Sequence, residues 1–393
     1  MTGLCTQGLL DRDERTRKKI ELNLRRNRAQ DQTPHLDQAA ASFDFARDRD
    51  RWWNDPEQSL LYGTPLWDGA DEGQRRLLNQ LYWVAYYSQI ISAEVATIYF
   101  NQTSAAGLYG LQDFRVVCDT LDLETSQERA HIAAFQRISE AVEAALFGER
   151  LFTWPMRGPF HPTMIHSDLS PFRARLRQLE LRAFGLLSAG SAFIGSQYFT
   201  VRGLRTLNGK MVQSKLSKYL SADDLSSRPV PTAISWHHFM DESFHFHSSH
   251  TIGIDVVRCL PPPTAFERHI ANLSVQGCQE DHRNVSVTVS GLFWSDVSAM
   301  RAVYRLLRTR WFGMSHDDAV HMLQRCYAEE NQAQIDAHRL HVEAREAYRR
   351  FVEPLAWLNA DNREMRRMAA TTLPRTLAAN RAGLDRLATE LRP

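Results

Sequence analysis

Two pairs of residues in this chain have the types and spacing to bind metal. Glu128 and His131 stand three positions apart, and so do Glu242 and His245. On a helix, residues three apart project from one face, so each pair would aim a carboxylate and an imidazole in one direction. Glu128 and His131 fall in a stripe with Val117, Leu121, Glu124, Phe135, Ile138 and Val142. Glu94 falls similarly among Leu77, Leu81, Val84, Tyr87, Ile91 and Ile98. Carboxylates buried among apolar neighbours are costly unless they are paired or coordinate a metal. A di-iron site meets that condition by setting carboxylates against two cations. In its ferritin-like form, two helices each give a Glu and two others each give Glu-x-x-His. A lone Glu-x-x-His arises easily on a solvated helix face; two on separate long helices, with Glu94 upstream, are a more specific signal. His238 lies one turn before Glu242 and extends that motif to His-x-x-x-Glu-x-x-His. Asp241 points toward a neighbouring helix, where a carboxylate commonly orients a ligating imidazole. Glu124, one turn before Glu128, is a reserve ligand. Mixed oxygen and nitrogen donors suit iron or manganese better than zinc, so two Fe ions are the expected cofactor.

The elements that must position these residues follow from periodicity. Helices are expected from Asp71 to a break at Gly107–Gly110, from about Phe114 to Phe147 with Gly148 as its stop, over Phe172–Arg205, and over Thr232–His250. The fold class is all-α: a ferritin-like four-helix bundle over 61–260, preceded by an arm over 1–60 and followed by additional helices over 261–393. The arm reads as a solvated helix and a loop wrapped on the body. Val285, Val287 and Val289 alternate as a short strand would. The heavily charged last hundred residues read as outer helices. Glu180 is the only acid of the third helix and shares a stripe with Leu176, Phe184, Leu187 and Ser191. It is the expected third-helix ligand, although turns counted back from the bundle ends put the metal level near residues 188–197, about two turns away. The alternative for Glu180 is an ion pair with Arg173 or Arg177.

Other histidines carry weaker signals. His237, His247 and His250 differ in angle from the ligand face and read as outer or core-edge residues. Asp318 with His321 and His316, and His338 with His341, lie on charged helices where a solvated face explains them. His161, His166 and Asp168 fall in the Pro- and Gly-rich loop after Pro155. Five scattered cysteines without a Cys-x-x-Cys argue against a zinc finger or a cysteine-ligated cluster. They suit a reducing compartment, so the protein is expected to be cytoplasmic. With 47 Lys and Arg against 46 acids, there is no electrostatic case for nucleic acid or an anionic membrane as partner.

Glu94, Glu128-x-x-His131 and His238-x-x-x-Glu242-x-x-His245 together resemble the p-aminobenzoate N-oxygenase family of di-iron enzymes. The additional histidine before the last Glu is the distinguishing feature, and Leu61-Tyr62-Gly63-Thr64-Pro65 also looks like that family. The similarity spans roughly residues 60–255 and departs from the pattern on the third helix. It implies O2-dependent oxidation of an amine nitrogen of a small molecule, with electrons from an external donor. Helical di-iron proteins often pair, so a homodimer is among the open states. Other readings stay open: a hydroxylase, desaturase or C–C-cleaving oxidase on the same scaffold, a non-catalytic ferritin-like iron-binding protein, and a metal-free helical interaction module.

Overall fold

The structure is a computed structural model that describes residues 8–111, 113–153, 170–217, 222–289 and 297–391. The fold is all-α, and among the described residues there is no strand. The arm contributes α1 (Glu14–Ala29) and α2 (Thr33–Ser42). Four longer stretches follow: α3 (Glu72–Leu108), α4 (Arg115–Phe147), the broken pair α5 (Pro171–Gly190) and α6 (Ala192–Ser217), and α7 (Val230–His250). Beyond them lie α8 (Ala265–Val289), α9 (Val297–Arg308), α10 (His316–Tyr327), α11 (Gln332–Val352), α12 (Arg363–Ala370) and α13 (Leu373–Glu390). No described helix is long and apolar enough to cross a membrane.

Local chemistry explains the boundaries that matter. Asp71 and Gln74 form a reciprocal capping box at the start of α3, a helix of 37 residues. Gly148 ends α4 in the left-handed region, φ 71°, which glycine enters without a Cβ penalty. The expected third helix is two helices: Ser191 is extended (φ −143°, ψ 120°), and its hydroxyl accepts from the amide of Ile194 at 3.2 Å and donates to Glu267 Oε1 at 2.7 Å. The valine alternation at 285–289 forms no strand, because α8 runs through Val289. After His250 the chain passes through one π-helical segment, Thr251–Val256. Such segments occur often at functional sites. Gly253 lets this segment press on α6, since a Cβ there would come within 2.6 Å of the Thr200 nitrogen.

The apolar core is interrupted at one level. A first cluster includes Leu81, Trp83, Tyr87, Ile91, Phe135, Ile138 and Ile234. A second includes Phe100, Phe114, Val117, Leu121, Phe199 and Ile252. Along α3 the first cluster gives way to the second between Ile91 and Phe100; along α4 the reverse happens between Leu121 and Ala134; along α7 the change falls between Ile234 and the segment after His250. Glu94, Glu128, His131, His238, Glu242 and His245 all fall inside those intervals. Two apolar layers thus clamp one polar band.

The flanking regions are more integrated than expected. The arm is not a solvated helix: Ile20, Asn23, Leu24 and Asn27 of α1 are buried, as is Leu36 of α2. Nor are the C-terminal helices merely outer. Val303, Leu306, Leu307, Leu323, Tyr327 and Leu384 belong to the same cluster as Trp83 and Phe135.

Candidate metal centre

Three helices supply the candidate ligand atoms. Glu94 comes from α3, Glu128 and His131 from α4, and His238, Glu242 and His245 from α7, and all six are buried. Among the described residues they fall into two groups that could each hold a metal ion: Glu94, His131, His238 and Glu242, and Glu128, Glu242 and His245. Glu242 belongs to both, as a bridging carboxylate would.

The imidazoles do not all present the same edge. His238 turns Nε2 inward, 3.1 Å from Glu94 Oε1 and 3.8 Å from Glu242 Oε1. His131 turns Nδ1 inward, 3.5 Å from Glu94 Oε1 and 3.4 Å from Glu128 Oε2. His245 also turns Nδ1 inward, 2.8 Å from Glu242 Oε1 and 3.4 Å from Glu128 Oε1. Outer nitrogens of ligating histidines usually need a fixed partner, which sets tautomer and ring orientation. His131 Nε2 meets Asp241 Oδ2 at 3.2 Å, and His245 Nε2 meets Gln127 Oε1 at 2.9 Å. The ring of His238 is instead held edge-on by Phe135 and Tyr87, with centroids at 5.0 and 5.7 Å.

The arm locks those outer partners. Asp241 Oδ1 accepts from the Gln32 amide at 3.0 Å and from Gln127 Nε2 at 3.3 Å. Asn27 fixes Gln127 by a two-way amide pair, accepting at 2.8 Å and donating at 3.1 Å. One residue outside the ligand face, His237, contacts Gln32 Oε1 through Nδ1 at 2.9 Å and stacks on His35 at 5.3 Å.

A dication fits this site on the evidence of its unsatisfied atoms. Glu94 Oε2, Glu128 Oε2 and His131 Nδ1 are buried without a hydrogen-bond partner, a condition that is expensive in a low-dielectric interior. Without metal, protons take the place of cations. Burial pushes the Glu94 carboxyl well above its usual range. Burial also opposes charge on His245, but Glu242 and Glu124 beside it outweigh that and raise it to about 10. His131 is raised in the same way against burial, by Asp241, Glu128 and Glu94. Burial and the neighbouring His131 charge hold His238 neutral, well below the usual histidine range. Glu128 resists the desolvation that would protonate it, because His131 and His245, each 3.4 Å away, favour its charged form.

Glu180 lies apart from this cluster. It is on α5, its side chain is 55% exposed, and its nearest cation is Arg177 at 3.5 Å. The helix level that faces the centre is later, on α6, and it carries Arg202. That guanidinium, 5% exposed, places Nη1 2.6 Å from Glu124 Oε2 and Nη2 3.6 Å from Glu128 Oε1. Glu124, the reserve ligand, is therefore tied up in an ion pair. The other histidine sets do not gather into a metal group: His316 Nδ1 contacts the Tyr304 hydroxyl at 2.9 Å, Asp318 accepts from Ser315, and the buried His341 contacts the Met368 carbonyl. His161, His166 and Asp168 lie outside the described residues.

Sequence reasoning missed Arg202, Gln127, Asn27 and Gln32. A signal existed for Arg202 alone: the stripe through Glu180, Phe184, Leu187 and Ser191 continues at steps of three and four to Gly195, Tyr198 and Arg202. No curated protein and no solved structure matches the chain significantly. A family model described as "Acyl halogenase CylC-like" matches residues 15–177 and 165–388, and it is this family, rather than the N-oxygenases, that the comparison identifies. Its match includes most of the arm, α3 to α7 and nearly all of the C-terminal helices, so the chain belongs to the CylC-like acyl halogenase family.

Proposed function

We propose that this protein is an O2-dependent di-iron enzyme that replaces a hydrogen on carbon of an acyl substrate with a halogen. The observation that carries the reading is the buried pair of ligand groups sharing Glu242. The family description supplies the acyl substrate class and the halogen. An iron pair bound there would supply the electrons and open coordination positions needed to reduce O2. The protein's own share is to hold three carboxylates and three imidazoles dry, to fix two imidazoles through Asp241 and Gln127, and to seal the band between two apolar layers. In the balanced reaction R–H, a halide ion, O2, two electrons from an external donor and three protons give R–X and two waters.

A second reading, N-oxygenation of an amine, is favoured by His238, the extra histidine of the sequence resemblance. One experiment separates the two. Protein loaded anaerobically with ferrous iron is reduced, exposed to O2 with bromide present, and offered acyl chains, both free and thioester-linked, beside a panel of amines. Products carrying the bromine isotope doublet on the acyl panel are expected. Oxygen gain on the amines, with the acyl panel untouched, would replace halogenation with the second reading. No product from either panel under reducing conditions would count against both.

A further inference from the structure

The two ligand groups are unequal, and α6 faces the poorer one with a cation. The first group has four residues, Glu94, His131, His238 and Glu242; the second has three, Glu128, Glu242 and His245. A ferritin-like pattern would place a carboxylate from this remaining helix against the centre. Here the residue in that place is Arg202, and its Nη2 is buried without a hydrogen-bond partner while Nη1 is engaged by Glu124.

The donor set defines what would complete the site. Glu94, Glu128 and Glu242 bring three negative charges to two divalent cations, and the buried Asp241, set against His131 Nε2, brings a fourth from outside the ligand groups. Arg202 and Glu124 cancel each other. No fourth ligating carboxylate is present among the described residues of the cluster, so the three-residue group is the one short of an anionic donor. We infer that a single halide ion binds at the second ligand group on the side facing α6, ligating that metal and accepting a hydrogen bond from Arg202 Nη2. The guanidinium suits this role because it keeps its charge under all ordinary conditions and presents its donors in a rigid plane. The competing arrangement has Glu124 leave Arg202 and become the missing ligand, with no halide at the metal.

This inference rests on the halogenase reading, and its test is chosen to fail separately from it. The intact protein is loaded with cobalt(II), which does not turn over, and titrated with sodium bromide against a methanesulfonate background of constant ionic strength. Bromide affinity is read from the cobalt visible spectrum, and bromine K-edge absorption reports whether bromide is bonded to metal. Cobalt–bromine scattering is expected in the wild type. Arg202→Gln should weaken bromide by roughly ten- to a hundredfold, the span of a charge-assisted hydrogen bond, while two cobalt ions remain bound. Because that variant strands Glu124, the paired variant Arg202→Gln with Glu124→Gln is measured alongside and should show the same loss. Absence of cobalt–bromine scattering, or an affinity that neither variant changes, would overturn the inference. Bromide bound through Arg202 with no halogenated product would sustain the site and remove the function. Halogenated product with bromide affinity indifferent to Arg202 would do the opposite. Failure to bind cobalt at all would overturn both.

Discussion

Replacing Asp241 by Asn changes one atom and exposes how the arm reaches the metal centre. Three donors converge on Asp241: the Gln32 amide and Gln127 Nε2 on Oδ1, and His131 Nε2 on Oδ2. Asparagine has one acceptor oxygen and one donor group, so it cannot serve both sides. Turning its oxygen toward His131 would set its NH2 against two donors. Gln127 cannot flip to relieve them, because Asn27 holds its amide in both directions and His245 Nε2 uses its oxygen. The oxygen should therefore stay toward Gln32 and Gln127, leaving NH2 against the N–H of a metal-ligating His131. Loss of such an outer partner typically weakens metal binding by about 10- to 100-fold, which is about 1.4–2.8 kcal/mol. The assay is anaerobic ferrous titration against a chelator, with amide exchange at Gln32 as the orientation readout. Metal affinity within twofold of wild type would refute the role of Asp241. Weakened metal together with a deprotected Gln32 amide would refute the orientation while keeping the role.

Three other outcomes follow from the same geometry. Glu128→Gln, which removes a member of the three-residue group and only a neighbour of His131 in the other, should leave one tightly held metal per chain, whereas Glu242→Gln should weaken both and Glu180→Ala neither, as counted by metal analysis after desalting. Metal loading at neutral pH should release protons, roughly two to three per chain, because His131, His245 and Glu94 all hold theirs more tightly than usual in the metal-free protein. Since the loaded protein then binds fewer protons, affinity should rise with pH, and an indicator dye in weak buffer measures the release; no release would show that the cations bind elsewhere. Gly253→Ala should destabilise the fold by about 1–3 kcal/mol, since the added methyl meets backbone atoms of Phe199 and Thr200 that cannot swing aside, and chemical denaturation measures it.

What could be read from the sequence and what could not divide along a physical line. The buried clustering of Glu94, Glu128, His131, His238, Glu242 and His245 was legible because a carboxylate or imidazole in the middle of an apolar stripe is an anomaly that periodicity exposes. The same rule misassigns the third helix. Glu180 is the one carboxylate on its stripe, yet a carboxylate 55% exposed beside Arg177 needs no metal. A break at Ser191 also upsets any count of turns, because the register of α6 is set by a new cap rather than by α5. Apart from Asp241, the outer ring was illegible for a different reason. Asn27, Gln32 and Gln127 are ordinary polar residues whose meaning lies in a two-way amide pair across 100 positions of sequence, and only tertiary contact reveals it. The charged composition of the last hundred residues likewise concealed one face of each helix, where Leu306, Leu323 and Leu384 enter the main core. Arg202 joins the two lessons. It lies on a readable stripe, but its sign is opposite to the expected ligand's, and it becomes informative only when the three-residue ligand group beside it is seen to lack a further anionic donor. A cation where a ferritin-like pattern has a carboxylate is the feature on which the proposed halide site rests.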